Sequence, residues 1–174
     1  MSILIDNSKF AAAAYLYRDS HIPYSKLDCQ AFVERVLSDC GVSHNWKGSN
    51  HMWRDALTWK GTTQECVDRC GSIPPGSWLF TVKHDGGEKK RGYNDDEGNA
   101  AHVGIFVGPD LGVMHSTTGG VQCTSWPDPK RWTHVGLCKY IAYPGHTQTS
   151  LITMIDQCIE LLQDLKERII NNDV

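Results

Sequence analysis

Asp28-Cys29-Gln30-Ala31-Phe32-Val33-Glu34 and, about seventy residues later, His102-Val103-Gly104-Ile105-Phe106-Val107-Gly108 are the stretches from which the fold is read. In the first, Asp28 is an N-cap residue type, and Phe32, Val33, Val36, Leu37 and Cys40 follow as one apolar stripe. Glu34, Arg35 and Asp39 fall outside the stripe and Gly41 supplies a stop, so a helix is expected from 28 to 41. The second stretch reads as a strand. Gly108-Pro109-Asp110 turns it into another strand at 112–116, as an antiparallel hairpin.

Working outward, Asn7 or Ser8 caps a first helix towards Asp19, with Phe10, Ala14 and Tyr17 on one face, until His21-Ile22-Pro23-Tyr24 breaks it. Residues 46–70 are Trp-rich and interrupted by glycine, which predicts one or two short helices. Ile73-Pro74-Pro75-Gly76 turns into a strand at 77–82, residues 83–100 form a polar, Gly-rich loop, and 121–125 and 135–143 are further strands. Helices first and antiparallel strands second give an α+β class, with N-terminal helices on a central antiparallel sheet. Pro144-Gly145 closes this unit, taken as residues 1–146. In the second, 147–174, Leu151, Ile155, Cys158, Leu162, Leu165 and Ile169 make a heptad stripe. That amphipathic helix either docks on its own domain, links to another module or self-associates through 150–171.

A chain of 174 residues that is 40% hydrophobic suffices for one cored domain. A net charge of −3 gives no overall field favouring nucleic acid or an anionic membrane. The longest apolar run, Phe10 to Tyr17, is too short to span a bilayer. Asp6 interrupts the N-terminus before an apolar segment of signal-peptide length, so synthesis in the cytoplasm without a signal peptide is expected. Seven cysteines, an odd number, argue against a disulfide framework. Cys66 and Cys70 would share a helix face as half a zinc site, but nothing with zinc-like spacing completes it, so no metal is expected.

A thiol attacks as thiolate, and a helix N-terminus favours that form; Cys29 alone of the seven stands at a capped helix start. A histidine held on a strand can take the thiol proton, and a second polar group beside it fixes its tautomer. His102 and His115 occupy the two arms of the expected hairpin, on neighbouring positions. His134 also opens a His-Val-Gly-apolar stretch, but no later histidine sits in a paired strand, so His102 is the better base.

Asp28-Cys29-Gln30-Ala31-Phe32-Val33 resembles the Asp-Cys-Ser-Gly-Phe-Val signature of the NlpC/P60 family of cell-wall cysteine peptidases, which are papain-like. Pro75-Gly76-Ser77-Trp78-Leu79-Phe80, the His102 strand and Val113-Met114-His115-Ser116 resemble three further motifs of that family, in family order, over residues 20 to 143. The resemblance implies Cys29 as nucleophile, His102 as base and His115 as the group that orients it. It also implies Tyr24 beside the oxyanion, closer to the cysteine than the family pattern has it. The backbone N–H of Cys29 or Gln30, at the helix start, is expected as a further oxyanion donor, while Ser77 stands where the family has aspartate. Trp53 and Arg54 would suit a groove for a peptide bearing carboxylates.

The activity so implied is hydrolysis of an amide in the peptidoglycan stem peptide, between D-γ-glutamate and the diamino acid, without a cofactor. Access to the wall would follow lysis, phage delivery or specialised secretion, and a phage or prophage origin fits that route. The rival readings are a CHAP-like amidase or endopeptidase, an acyltransferase or deamidase on the same scaffold, and a wall-binding module with an inert Cys29.

Overall fold

A computed structural model describes residues 4–144, together with Ile159 and Gln163, which are helical. The chain divides into two units, Met1–Tyr143 and Pro144–Val174. The expected heptad helix and its self-association surface lie outside the described residues.

The first unit is α+β. Its elements are β1 (Ile5–Asp6), α1 (Asn7–Tyr15), α2 (Cys29–Asp39), α3 (Ser49–Asp55), β2 (Leu57–Thr62), α4 (Thr63–Cys70), β3 (Trp78–Lys83), β4 (Asn99–Gly108), β5 (Gly112–Thr117), β6 (Gly120–Thr124), β7 (His134–Cys138) and β8 (Ile141–Ala142). Six strands form an antiparallel sheet in the order β2-β7-β3-β4-β5-β6, and β1 pairs with β8 in a separate two-residue parallel ladder.

Capping chemistry sets the helix starts. Asp6 accepts from the Lys9 N–H, Asp28 accepts from the Ala31 N–H at 2.8 Å, and Thr62 and Glu65 form a reciprocal capping box on α4. The first helix ends at Tyr15, short of the expected Asp19, and the chain then turns with Tyr17 and Arg18 bonding back to Ala14 and Tyr15.

Three expectations change. Within 46–70 the structure has a strand, β2, between its two helices; this strand pairs with distant β7 and carries a register shift between Leu57 and Trp59. The expected 135–143 strand is two strands separated by a turn at Lys139–Tyr140. The 83–100 loop contains a 3-10 turn at Lys89–Arg91, and β4 already begins at Asn99.

Alternation along β3 to β5 splits the interior in two. Trp78, Phe80, Val103, Ile105, Val107 and Met114 join the helices α1 to α3 in the main core. Leu79, Phe106, Val113, Val135 and Trp132 form a second cluster with Cys66 of α4. The Pro-Gly turn into β3 is locked onto α1: Asn7 Nδ2 donates to the Pro75 carbonyl at 3.0 Å, and a Cβ at Gly76 would meet the Asn7 carbonyl oxygen at 2.6 Å. Gly76 has φ +81°, a conformation glycine adopts without strain.

Candidate active site

Cys29 is the first residue of α2 and is buried against β4. Its approach is braced from two sides. The Ser116 hydroxyl of β5 donates to the Leu27 carbonyl. The β5–β6 turn presses Gly120, at φ +91°, against the Ile22 carbonyl, where a Cβ would stand 2.8 Å from the oxygen. The segment 22–28 is thereby held between the hairpin and the helix, and it carries Tyr24.

Three donors converge on the Cys29 sulfur. The Tyr24 hydroxyl is at 3.9 Å, and the backbone N–H groups of Val103 and Gln30 also point to it. The Cys29 backbone N–H bears on the Tyr24 oxygen in turn. Burial nevertheless dominates and pushes the thiol above its ordinary value, with Asp28 adding to the rise and the three donors opposing it. The helix-start expectation of an acidic thiol therefore does not carry over to the folded site: at neutral pH Cys29 rests protonated. Tyr24 is pushed up to about 12, first by burial and then by Cys29, so its hydroxyl keeps its proton and can donate.

His102 and His115 meet across the hairpin, His102 Nε2 lying 2.8 Å from His115 Nδ1, with the rings edge to face at 82°. Ile105 pairs with Met114, and the next step of that register brings His115 opposite Gly104, diagonal to His102. The glycine makes the arrangement possible. A Cβ there would stand 2.8 Å from Trp132 Cη2 and 3.0 Å from His115 Cβ. Trp132, fully buried, stacks on His102 at 25° and meets His115 edge-on at 89°. Arg131 Nη1 lies 3.5 Å from His115 Nε2 on the other side of that ring. Burial and then the Arg131 charge lower His102 to about 4; burial, His102 and Arg131 lower His115 to about 3.

The thiol and the His102 ring are not hydrogen-bonded to each other. They meet at one peptide: the Val103 N–H that reaches the thiol belongs to the residue after His102, whose ring stacks on Trp132. Nucleophile–base contacts are commonly looser before substrate binds. His102 Nδ1 has no hydrogen-bond partner among the described residues.

The other residues picked out from sequence are placed elsewhere. The Arg54 side chain is 8% exposed and closes a fork on Asp95 at 2.8 and 2.6 Å, reaches the Asn50 and Gly98 carbonyls, and stacks on Tyr93. Asp95 is drawn down to about 2 by that hydrogen bond. Trp53 is buried against Phe80 and His134 and donates to the Glu97 carbonyl. Both residues hold the 83–98 insertion in place. The Gln30 side chain bonds Glu34 and the Trp46 carbonyl, so only its backbone serves the thiol. Ser77 is buried and its Oγ has no hydrogen-bond partner among the described residues.

His134, the rival base, points its Nδ1 at its neighbour Thr133 and packs on Trp53. Cys66 is buried in the second cluster and pushed up to about 12 by burial and by Cys70. Trp132 and Arg131 were not singled out from sequence. Among the described residues no helix is long and apolar enough to cross a membrane, and no group of three His, Cys, Asp or Glu is arranged to hold a metal ion.

The site therefore comprises a thiol at a helix start with amide and hydroxyl donors around it, and a histidine pair that begins one residue from its Val103 contact. No family model, no curated protein and no solved structure matches the chain.

Proposed function

We propose that the chain is an NlpC/P60-type cysteine peptidase that hydrolyses a peptidoglycan stem peptide at the bond between D-γ-glutamate and the diamino acid. The observation that carries this reading is the 2.8 Å His102–His115 bond on a strand whose next amide, Val103 N–H, reaches the Cys29 thiol. A buried small cysteine needs no such neighbours.

In this reading the Cys29 proton passes to His102 as the sulfur attacks the amide carbonyl. A resting ion pair is disfavoured, since burial raises the thiol and lowers the imidazole, so proton transfer accompanies attack. His102 accepts on Nδ1 when its Nε2–H donates to His115 Nδ1; His115 then carries its own proton on Nε2, and Arg131, 3.5 Å away, acts on that ring by charge and not as a hydrogen-bond donor. The Gln30 N–H and the Tyr24 hydroxyl stabilise the oxyanion. The imidazolium then protonates the leaving amine. Water, activated by the same ring, hydrolyses the thioester.

Incubation with purified stem peptides, product masses and a comparison with Cys29→Ala test the reading. A Cys29-dependent cut at the γ-glutamyl bond supports it, and identical products from both proteins sink it.

A further inference from the structure

The two arms of the 83–98 insertion face each other across a hollow of about 220 Å³. His84, Gly86 and Glu88 line it from one arm, Asp95, Asp96 and Gly98 from the other. The arms are tied by the Tyr93 N–H, which donates to the Glu88 carbonyl at 3.1 Å, and by Asn99 Nδ2, which donates to Asp85 at 3.0 Å.

Glu88 is out of place in such a loop. It is only 5% exposed, and its Oε2 has no hydrogen-bond partner among the described residues. Nor does it form an ion pair among them. A buried carboxylate left in this way costs free energy, and folded proteins settle such charges on a cation or a metal ion. The neighbouring cations do not supply the partner. Arg54 is committed to Asp95 through both Nε and Nη2. Lys89 lines the same hollow, but it is exposed and forms no ion pair among the described residues. With Asp95 matched by Arg54, the carboxylates of Glu88 and Asp96 outnumber Lys89. The exposed Asp96 alone would be an ordinary solvated charge. The buried Glu88 facing the same hollow is not.

We propose that Glu88 and Asp96 anchor a divalent cation of the calcium type, which clasps the two arms of the insertion together. Carboxylate and carbonyl oxygens select hard cations over zinc or copper. No three His, Cys, Asp or Glu side chains are arranged around a metal position among the described residues, so the ion completes its shell with water and loop carbonyls. So few charged ligands imply a Kd of about 0.1–1 mM, the range of weak calcium modules. The clasp uses none of the candidate catalytic residues and is independent of the peptidase reading.

The test is thermal melting of the full chain in millimolar calcium chloride and in chelator at matched ionic strength, with limited proteolysis under both conditions. Calcium should raise the wild-type melting temperature by about 3–6 °C, given that affinity and a chain of this size, and should slow cutting within 83–98. Glu88→Gln keeps the shape and removes the charge, so it should melt no lower than wild type in chelator and lose the calcium shift. Asp96→Asn, at an exposed position, should lose the shift too, and it decides alone if Glu88→Gln folds poorly. Asp110→Asn, exposed in the β4–β5 turn, should keep it. A wild type indifferent to calcium overturns the clasp, as does a shift that persists in Asp96→Asn or in a folded Glu88→Gln. A shift that Asp110→Asn also loses, or one that leaves cutting within 83–98 unchanged, places the ion elsewhere and overturns it as well.

Discussion

His102 Nε2 and His115 Nδ1 are joined at 2.8 Å across the β4–β5 hairpin, directly over a residue without a side chain, Gly104. That triad of positions explains why a glycine follows His102-Val103. Any larger residue would take the space of the second imidazole and of Trp132. Gly104→Ala is expected to lower stability by about 1–3 kcal/mol, the usual cost of overpacking a filled core, and to reduce kcat more than it raises KM. Denaturant unfolding and steady-state kinetics on the same preparation check both parts; an alanine variant as active as wild type would remove the packing argument.

Burial of the two neutral imidazoles makes stability depend on pH with a definite sign. Their folded values are lowered to about 4 and about 3, against about 6.5 for an ordinary histidine. Below about 6.5 the unfolded chain binds protons that the folded chain refuses, so stability is complete above that pH and falls as pH drops towards 4. Urea midpoints measured from pH 7.5 to 4.5 should decline, and His115→Asn should flatten the decline. The free-enzyme acid limb of kcat/KM should lie well below 6.5 for the same reason.

The Tyr24 hydroxyl, 3.9 Å from the Cys29 sulfur and fully protonated at neutral pH, is placed to donate to an oxyanion. Tyr24→Phe should lower kcat by about tenfold to a hundredfold with KM little changed, somewhat less than the loss of a principal oxyanion donor. An unchanged kcat would make this tyrosine part of the wall and nothing more.

Arg54 acts on the insertion. Replacing it with lysine keeps the charge but loses the two-pronged contact with Asp95. The expected result is a melting temperature lower by several degrees and faster proteolysis within 83–98, with KM unaltered. Limited proteolysis followed by mass mapping reads it directly.

These contrasts show what the sequence could reveal. Helix α2 was legible because its cap, stripe and stop all lie within fourteen residues, 28 to 41. The His102–His115 pair was legible because a period-two pattern and a turn predict a hairpin, and a hairpin predicts neighbours. Strand β2 was not. Trp59-Lys60-Gly61-Thr62 has no clean alternation, and its partner β7 lies more than seventy residues away.

The Arg54–Asp95 fork was hidden for a related reason, since nothing local announces a carboxylate forty-one residues further on. Trp132 and Arg131 belong to an aperiodic stretch, Pro127 to Thr133, whose position only the folded sheet determines. The Cys29 thiol was half legible. Its place at a helix start is written in the sequence, but the burial that outweighs it is a property of the fold.

The most direct measurement is product analysis by mass after incubating purified peptidoglycan with wild type, Cys29→Ala and His102→Ala. New fragments ending at γ-glutamate, formed by wild type and absent with both variants, are the predicted result. Fragments that persist with Cys29→Ala, or no release by a correctly folded wild type, would contradict the account.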